Sequence, residues 1–206
     1  MILHDTPENI KAFFIRNDPS VAQALETARG HVTFIKRQVA EFQGAAIYAL
    51  AKQYNRPGAR FLEIGTAWGY SAALQALAAP KASIVTLNPR ADESAVARGN
   101  LSAFANVTVV EQCSWDYLKT YDRANIDFLF VDGDHKNVRL DLPWWNRVSC
   151  GGLMLFHDYS PETSRRVCIP VFEALNEFKL LMGRDFDVSI IDDSGVGMVG
   201  WYKQQE

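Results

Sequence analysis

Beyond residue 60, two kinds of apolar segment alternate along the chain. Short apolar runs are typical of strands, and longer segments with apolar residues three or four positions apart are typical of helices. The predicted strands are residues 60–64, 82–87, 107–111, 126–131 and 153–157. The predicted helices are residues 70–79, 92–103, 114–121, a segment ending near 148, and 171–182. Strands that alternate with helices predict a doubly wound α/β fold with a parallel sheet.

The end of the chain adds a reversed strand to this sheet. Two strand-like runs, 186–191 and 196–202, are joined by only Asp192-Asp193-Ser194-Gly195. A parallel crossover needs about a dozen residues, so these runs must form an antiparallel hairpin. The prediction is a Rossmann-like seven-stranded sheet that is parallel except for one antiparallel strand.

The first 55 residues have the pattern of helices. Thr6 and Pro7 are typical of the N-cap and first position of a helix. A second helix is predicted over 19–28, and a third from Ile35 to about Leu50, where apolar residues recur at helical spacing. We interpret 1–206 as a single domain, with a helical N-terminal cap over 1–55 and a core over 60–202.

Composition narrows the class of protein. The chain has 206 residues, 48% hydrophobic and 22% charged, with a net charge of −3. These values are typical of one globular domain, and no like-charged block favours a nucleic-acid partner. No apolar run reaches the roughly 18–20 residues of a membrane span, and no secretory signal is predicted at the start. Three scattered cysteines favour neither a disulfide framework nor a zinc site, so we expect a cytoplasmic location.

The turn after the first core strand carries the first candidate binding motif. It runs from Glu63 to Ser71 with the sequence EIGTAWGYS. Gly65 permits a tight turn, Gly69 permits a close helix approach, and Ser71 falls in the first helical turn, which favours an anion such as a carboxylate. Ala67 stands where a dinucleotide site needs glycine, which favours a ligand without phosphates. A plain turn between strand and helix is the alternative interpretation.

Two further positions are candidates for contacts with a nucleoside. Asn88 ends the second core strand, where nucleoside sites carry an acid, and an amide is a weaker acceptor. Asp92 or Glu93 is a further candidate acid for this role, although Asp92 has the position of a helix N-cap. Arg90 would suit a 2′-phosphate, so an NADP enzyme is a second possible interpretation. Trp115 follows the third strand and is placed to lie against a base.

Five polar residues follow two strands that are predicted to be neighbours. Aspartate and histidine together suit Mg²⁺ or Mn²⁺, or acid/base catalysis. Any one of them alone would be typical of a helix cap or a loop. The next segment, 159–169, is either a mobile cover over this site or a surface loop. The five residues are Asp132, Asp134, His135, His157 and Asp158.

The segments FLEIGTAWGYSA, FLFVDGDH and GGLMLFHDYS together resemble class I S-adenosylmethionine-dependent methyltransferases. The resemblance covers about residues 60–202 and is strongest to small-molecule O-methyltransferases of the catechol and macrolide-sugar type. It implies methyl transfer from S-adenosylmethionine to a hydroxyl, or less commonly an amine, of a small molecule. It also implies leading helices that cover the substrate pocket and contribute to a homodimer, with neither nucleic acid nor membrane as a partner.

The resemblance also implies roles for individual residues. Asn88 would face the ribose, although it departs from the usual acid, and Cys113, Ser114 and Trp115 would hold the adenine. Ser71 would bind the cofactor carboxylate. The full implied cofactor-binding set is Glu63, Gly65, Thr66, Ser71, Asn88, Ser114, Trp115 and Asp132.

For catalysis, the resemblance implies His135 as the general base, beside Asp132. In metal-using members, Mg²⁺ or Mn²⁺ would bind Asp132, His157 and Asp158. A histidine at position 157 departs from the usual oxygen ligands and suits Mg²⁺ poorly. The same residues also fit a metal-dependent hydrolase that uses the aspartate and histidine cluster, and a catalytically silent nucleoside-binding module.

Overall fold

The computed structural model describes residues 1–32, 39–161 and 168–205. Its strands and helices alternate as predicted beyond residue 60. The strands are β1 Ile2–Asp5, β2 Arg60–Ile64, β3 Ser83–Leu87, β4 Val107–Val110, β5 Ile126–Val131, β6 Val148–Tyr159, β7 Val188–Asp192 and β8 Gly197–Tyr202. The helices are α1 Pro7–Asn17, α2 Ser20–His31, α3 Glu41–Lys52, α4 Tyr70–Ala78, α5 Ala91–Asn100, α6 Ser114–Thr120 and α7 Ile169–Met182.

All strands belong to one sheet in the order β1-β7-β8-β6-β5-β2-β3-β4. Strand β8 runs antiparallel to both β6 and β7, and the other strand pairs are parallel. The predicted Rossmann-like sheet with one reversed strand is therefore confirmed.

The strand count of seven was wrong, because the described residues form a sheet of eight strands. Residues Ile2–Asp5, interpreted as part of the helical cap, form β1 and pair in parallel with β7. The segment has only four residues, too few to show a strand period. Its pairing depends on residues near the other end of the chain, so local sequence carries no signal for it.

The leading helices agree with the prediction where the structure describes them. The Thr6 hydroxyl accepts a hydrogen bond from the N–H of Asn9 at 3.2 Å, and Pro7 stands in the first turn. Helix α3 begins only at Glu41, and the predicted helical positions from Ile35 to 38 lie outside the described residues.

The prediction of one continuous helix after β5 was also wrong. Two short 3-10 helices, His135–Leu140 and Leu142–Arg147, replace it. Asn137 leaves the helical conformation, and Pro143 lacks the N–H that an α-helix needs. The interrupted path holds His135 next to the end of β5.

The centre of the sheet is covered on both faces. Every residue of β5 is buried, as its continuous apolar run predicts for a parallel strand. One face packs on α1–α5, and the other on α6, α7 and the two 3-10 helices. Polar side chains that belong to the site therefore leave the sheet at its carboxyl edge. Within the described ranges, no helix has the length and apolar character needed to cross a bilayer.

Candidate active site

A cavity of about 350 Å³ opens at the carboxyl ends of β2, β3 and β5, beside the start of α6. Its volume falls in the range of roughly 300–1,000 Å³ that is usual for small-molecule sites. In a doubly wound sheet, this edge is where ligands bind. Six residues that were predicted to contact a cofactor line it: Gly65, Asn88, Cys113, Ser114, Trp115 and Asp132.

The backbone at Gly65 explains why glycine is needed there. Its φ angle is +101°, which side-chain-bearing residues rarely adopt. A Cβ atom would lie 2.0 Å from the carbonyl oxygen of Asp132. The ends of β2 and β5 can therefore meet at the floor of the cavity only because this side chain is absent.

Glu63, Thr66 and Ser71 do not line the cavity among the described residues. The Glu63 carboxyl is fully buried and accepts hydrogen bonds from the Thr86 hydroxyl, at 2.8 Å, and from the Gln75 amide. Burial raises the pKa of Glu63 to about 8, although these donors and Ser71 favour the charged form. The three residues are buried behind the turn that follows β2 and stabilise it. Their direct contact with a cofactor stays a prediction.

Strand β3 ends in a small polar network around Asn88. The Asn88 carbonyl accepts the backbone N–H of Arg90 at 3.1 Å, and its amide donates to Glu93 at 3.0 Å. Glu93 lines the cavity together with Asn88. Of the two candidate acids that follow Asn88 in the sequence, Glu93 lines the cavity and Asp92 does not.

The opposite wall of the cavity is formed by the start of α6. The Ser114 hydroxyl donates to the carboxylate of Asp141, which lies between the two 3-10 helices. Burial raises the pKa of Asp141 to about 6. This buried acid was missed from sequence, because 27 residues separate it from Ser114. Trp115 lies on the same wall, as predicted.

The aspartates and histidines at the ends of β5 and β6 form one cluster. His157 Nδ1 lies 3.1 Å from one oxygen of each carboxylate, Asp132 and Asp158. His135 Nε2 lies 3.3 Å from Asp158 and 3.5 Å from Asp132. The predicted convergence of these four residues is therefore present. His157 is buried, whereas about a third of the His135 side chain is exposed.

The charges in this cluster stabilise one another. Burial lowers the pKa of His157, but Asp132 and Asp158 outweigh burial and raise it to about 10. Burial likewise raises the pKa of Asp132, yet the two histidines hold it below its ordinary value. The hydrogen bond to Asp132 and the charge of Asp158 raise the pKa of His135 above 6.5. The buried pair of His157 and Asp132 therefore favours its charged form.

Two neighbouring residues have roles that the geometry explains. Asp158 has a φ angle of +55°, and the register between β6 and β8 shifts between Phe156 and Tyr159. This irregularity turns Asp158 toward the cluster. Asp134 accepts the N–H of Lys136 at 3.0 Å and caps the first 3-10 helix, as its position after the strand suggested.

One group of the described residues could hold a metal: ligand atoms of Asp132, His135 and Asp158 lie within 4.8 Å of one another. The predicted set, with His157 and not His135, stays a prediction. Most of the predicted cover over the site, residues 162–167 with Arg165 and Arg166, lies outside the described residues.

A family model described as a methyltransferase domain matches residues 62–159. Over this range the chain is similar to a methyltransferase domain. This match spans β2 to β6 and contains the cavity and the cluster, and it confirms the resemblance found in the motifs. It favours neither a hydrolase, nor an NADP enzyme, nor a silent binding module. No curated protein is significantly similar to the chain in sequence.

Solved structures share the fold of this chain over nearly its whole length. The cofactor-bound protein Rv0187 from MTB is 24% identical, with 97% of this chain and 99% of that chain covered and a TM-score of 0.66. TomG from Streptomyces achromogenes, an O-methyltransferase in complex with SAM, is 20% identical, with 96% of each chain covered and a TM-score of 0.65. An O-methyltransferase from Bacillus cereus in complex with SAH is 21% identical, with 89% and 90% covered and a TM-score of 0.64.

Proposed function

We propose that the protein transfers a methyl group from S-adenosylmethionine to a hydroxyl of a small molecule. The observation that carries this proposal is the double position of Asp132. Asp132 lines the nucleoside-sized cavity, and its carboxylate also belongs to the aspartate and histidine cluster. A cofactor in the cavity would therefore have its reactive end beside an acid/base group. Fold relatives bound to SAM or SAH support the same assignment.

The cavity fits an adenosyl ligand in shape and chemistry. Gly65 lines the floor without a side chain, Trp115 offers an aromatic face, and Asn88 and Asp132 offer polar groups at the ends of β3 and β5. S-adenosylmethionine supplies an electrophilic methyl group when bound. The protein must then hold the acceptor oxygen in line with that group and remove its proton.

His135 is the group we assign to proton removal. Its Nε2–H donates toward Asp158, at 3.3 Å, with Asp132 at 3.5 Å, and these contacts fix the tautomer that leaves Nδ1 unprotonated. Nδ1 accepts the hydroxyl proton, and the two carboxylates stabilise the imidazolium that forms. A positioned base matters more for a hydroxyl than for a neutral amine, which attacks before it loses a proton. This favours O-methylation.

The ligand chemistry fits Mg²⁺ poorly. Two carboxylates and one imidazole are available from Asp132, Asp158 and His135, whereas Mg²⁺ prefers oxygen ligands alone. His157 already places a cationic ring 3.1 Å from both carboxylates. The proposed reaction therefore has no step through a metal. Exhaustive chelation should leave the rate of methyl transfer within about twofold, and loss of activity that Mn²⁺ restores would contradict this expectation.

Three experiments test the proposed function. Mass spectrometry of the protein as purified should detect S-adenosylmethionine or S-adenosylhomocysteine, and calorimetry should show S-adenosylhomocysteine binding. Labelled S-adenosylmethionine incubated with catechols and sugar derivatives should then transfer label to a hydroxyl. A protein that binds neither compound is not a methyltransferase of this kind. The homodimer and the cytoplasmic location stay predictions, and light scattering measures the first.

A further inference from the structure

Asn88 stands where a ribose-binding acid was expected, and its amide group is already engaged. Its carbonyl oxygen accepts the N–H of Arg90 at 3.1 Å, and its Nδ2 donates to Glu93 at 3.0 Å. A ribose diol presents two O–H donors and needs strong acceptors. Asn88 has one acceptor oxygen in total, which makes it a weak partner for such a diol.

The carboxylate of Glu93 provides what Asn88 lacks. Glu93 lines the cavity five residues after Asn88, from the first turn of α5. Its side chain is 21% exposed, so most of it is withdrawn from solvent. A carboxylate has about four acceptor positions, and the contacts with Asn88 and Arg90 use two of them. The remaining positions suit the two hydroxyls of a ribose.

The neighbouring cation fixes Glu93 in this position. The Arg90 guanidinium lies 3.0 Å from one oxygen of Glu93 and 3.2 Å from an oxygen of Asp92. Asp92 is 72% exposed and does not line the cavity. The two adjacent acids therefore share a partner but differ in access to the ligand, and Asp92 is a matched control.

We propose that Glu93, rather than the residue at the end of β3, binds the ribose hydroxyls of the adenosyl ligand. Asn88 then acts as a positioning residue that holds the Glu93 carboxylate through its amide. The inference rests on the proposed function, because it takes S-adenosylmethionine or its product as the occupant of the cavity.

The test measures, by calorimetry, the binding of S-adenosylhomocysteine and of its 2′,3′-dideoxy analogue. Wild type should bind the analogue about 10- to 100-fold more weakly, because hydrogen bonds to a carboxylate are lost. Glu93→Gln should weaken binding of S-adenosylhomocysteine by a similar factor and discriminate less than about threefold between the two ligands. Asp92→Asn should match wild type with both. Thermal unfolding of each variant verifies that the fold is intact.

A swapped pair sharpens the test. Asn88→Asp combined with Glu93→Gln returns a carboxylate to the end of β3 and reverses the donor and acceptor between the two side chains. This double variant should regain much of the lost discrimination. If Glu93→Gln binds S-adenosylhomocysteine as tightly as wild type and discriminates as strongly against the analogue, this inference is wrong but the proposed function still stands. Failure of wild type to bind S-adenosylhomocysteine at all would overturn the proposed function and this inference together.

Discussion

Two cavities open at opposite ends of the same central strands, and the larger one is not the candidate site. The amino-edge cavity has a volume of about 760 Å³ and is lined by residues such as Arg60, Tyr117 and Arg123. The carboxyl-edge cavity has less than half that volume, yet Asp132 connects it to the aspartate and histidine cluster. What marks the site is the position of polar groups at strand ends, and volume is a poor guide.

The amino-edge cavity has a simple structural origin. Helix α6, which covers that face of β2, β3 and β4, has only seven residues. Its last residue, Thr120, and the following Tyr121 line the cavity, and the starts of the strands stay uncovered beyond them. The cavity is thus explained by a short helix, whereas the carboxyl-edge cavity depends on a glycine turn and on specific side chains.

The largest expected effect is on stability, when a glycine beside one of the two cavities is replaced by alanine. Gly65 and Gly58 both have positive φ angles, but a Cβ at Gly65 would lie 2.0 Å from the Asp132 oxygen, and one at Gly58 meets nothing within 4 Å. Gly58→Ala should cost about 1–2 kcal/mol of unfolding free energy, from backbone strain alone. Gly65→Ala should lower that free energy far more and abolish S-adenosylhomocysteine binding. Denaturant titration measures both, and equal costs would contradict the packing argument.

The next largest effect concerns the chemistry of the cluster. His135→Ala should lower kcat by about 10²- to 10⁴-fold, because a positioned base is lost. Its affinity for S-adenosylhomocysteine should change little, since His135 does not line the cavity among the described residues. Arg123→Ala, in the amino-edge cavity, is the control and should keep the wild-type rate. If His135→Ala retains full kcat with its acceptor, Asp134 or water must take the proton.

A smaller effect is expected in the pH profile of the wild-type rate. Asp132 and Asp158 raise the pKa of His135 above 6.5, so the ring holds its proton at a higher pH than a free histidine. Only the unprotonated ring accepts a proton, so kcat should fall about tenfold per pH unit below that raised pKa. A profile that stays flat down to pH 6 would show that His135 is not the base.

Periodicity and strand-end chemistry predicted much of this arrangement. The runs that form β2, β5 and β6 were recognised because buried parallel strands are continuously apolar. Since such strands end at one edge, the convergence of Asp132 with His157 followed from the sequence alone.

The features that the sequence did not predict depend on contacts between residues far apart in the chain, or on the orientation of a helix. Strand β1 exists through its pairing with β7, and Asp141 acts through Ser114. Glu93 lines the cavity because the first turn of α5 faces the end of β3, and the helical period alone does not fix that orientation.

The last prediction concerns stability alone, and it tests the buried acid behind the turn at the carboxyl edge. Burial raises the pKa of Glu63 from 4.5 to about 8, so the folded protein keeps a proton that the unfolded chain releases near pH 4.5. Wild-type stability should therefore fall, relative to Glu63→Gln, as pH rises from about 4.5 to about 8, by at most about 1.4 kcal/mol per unit. Glutamine keeps a neutral amide beside Gln75 and Thr86, so the two proteins should differ little in Tm below pH 4.5. Above pH 8 the variant should be the more stable protein, with a Tm higher by at most about 10–20 °C. If the Tm difference between wild type and Glu63→Gln does not change with pH across this range, Glu63 is ionised in the folded protein. The residues around the turn would then stabilise a charged carboxylate.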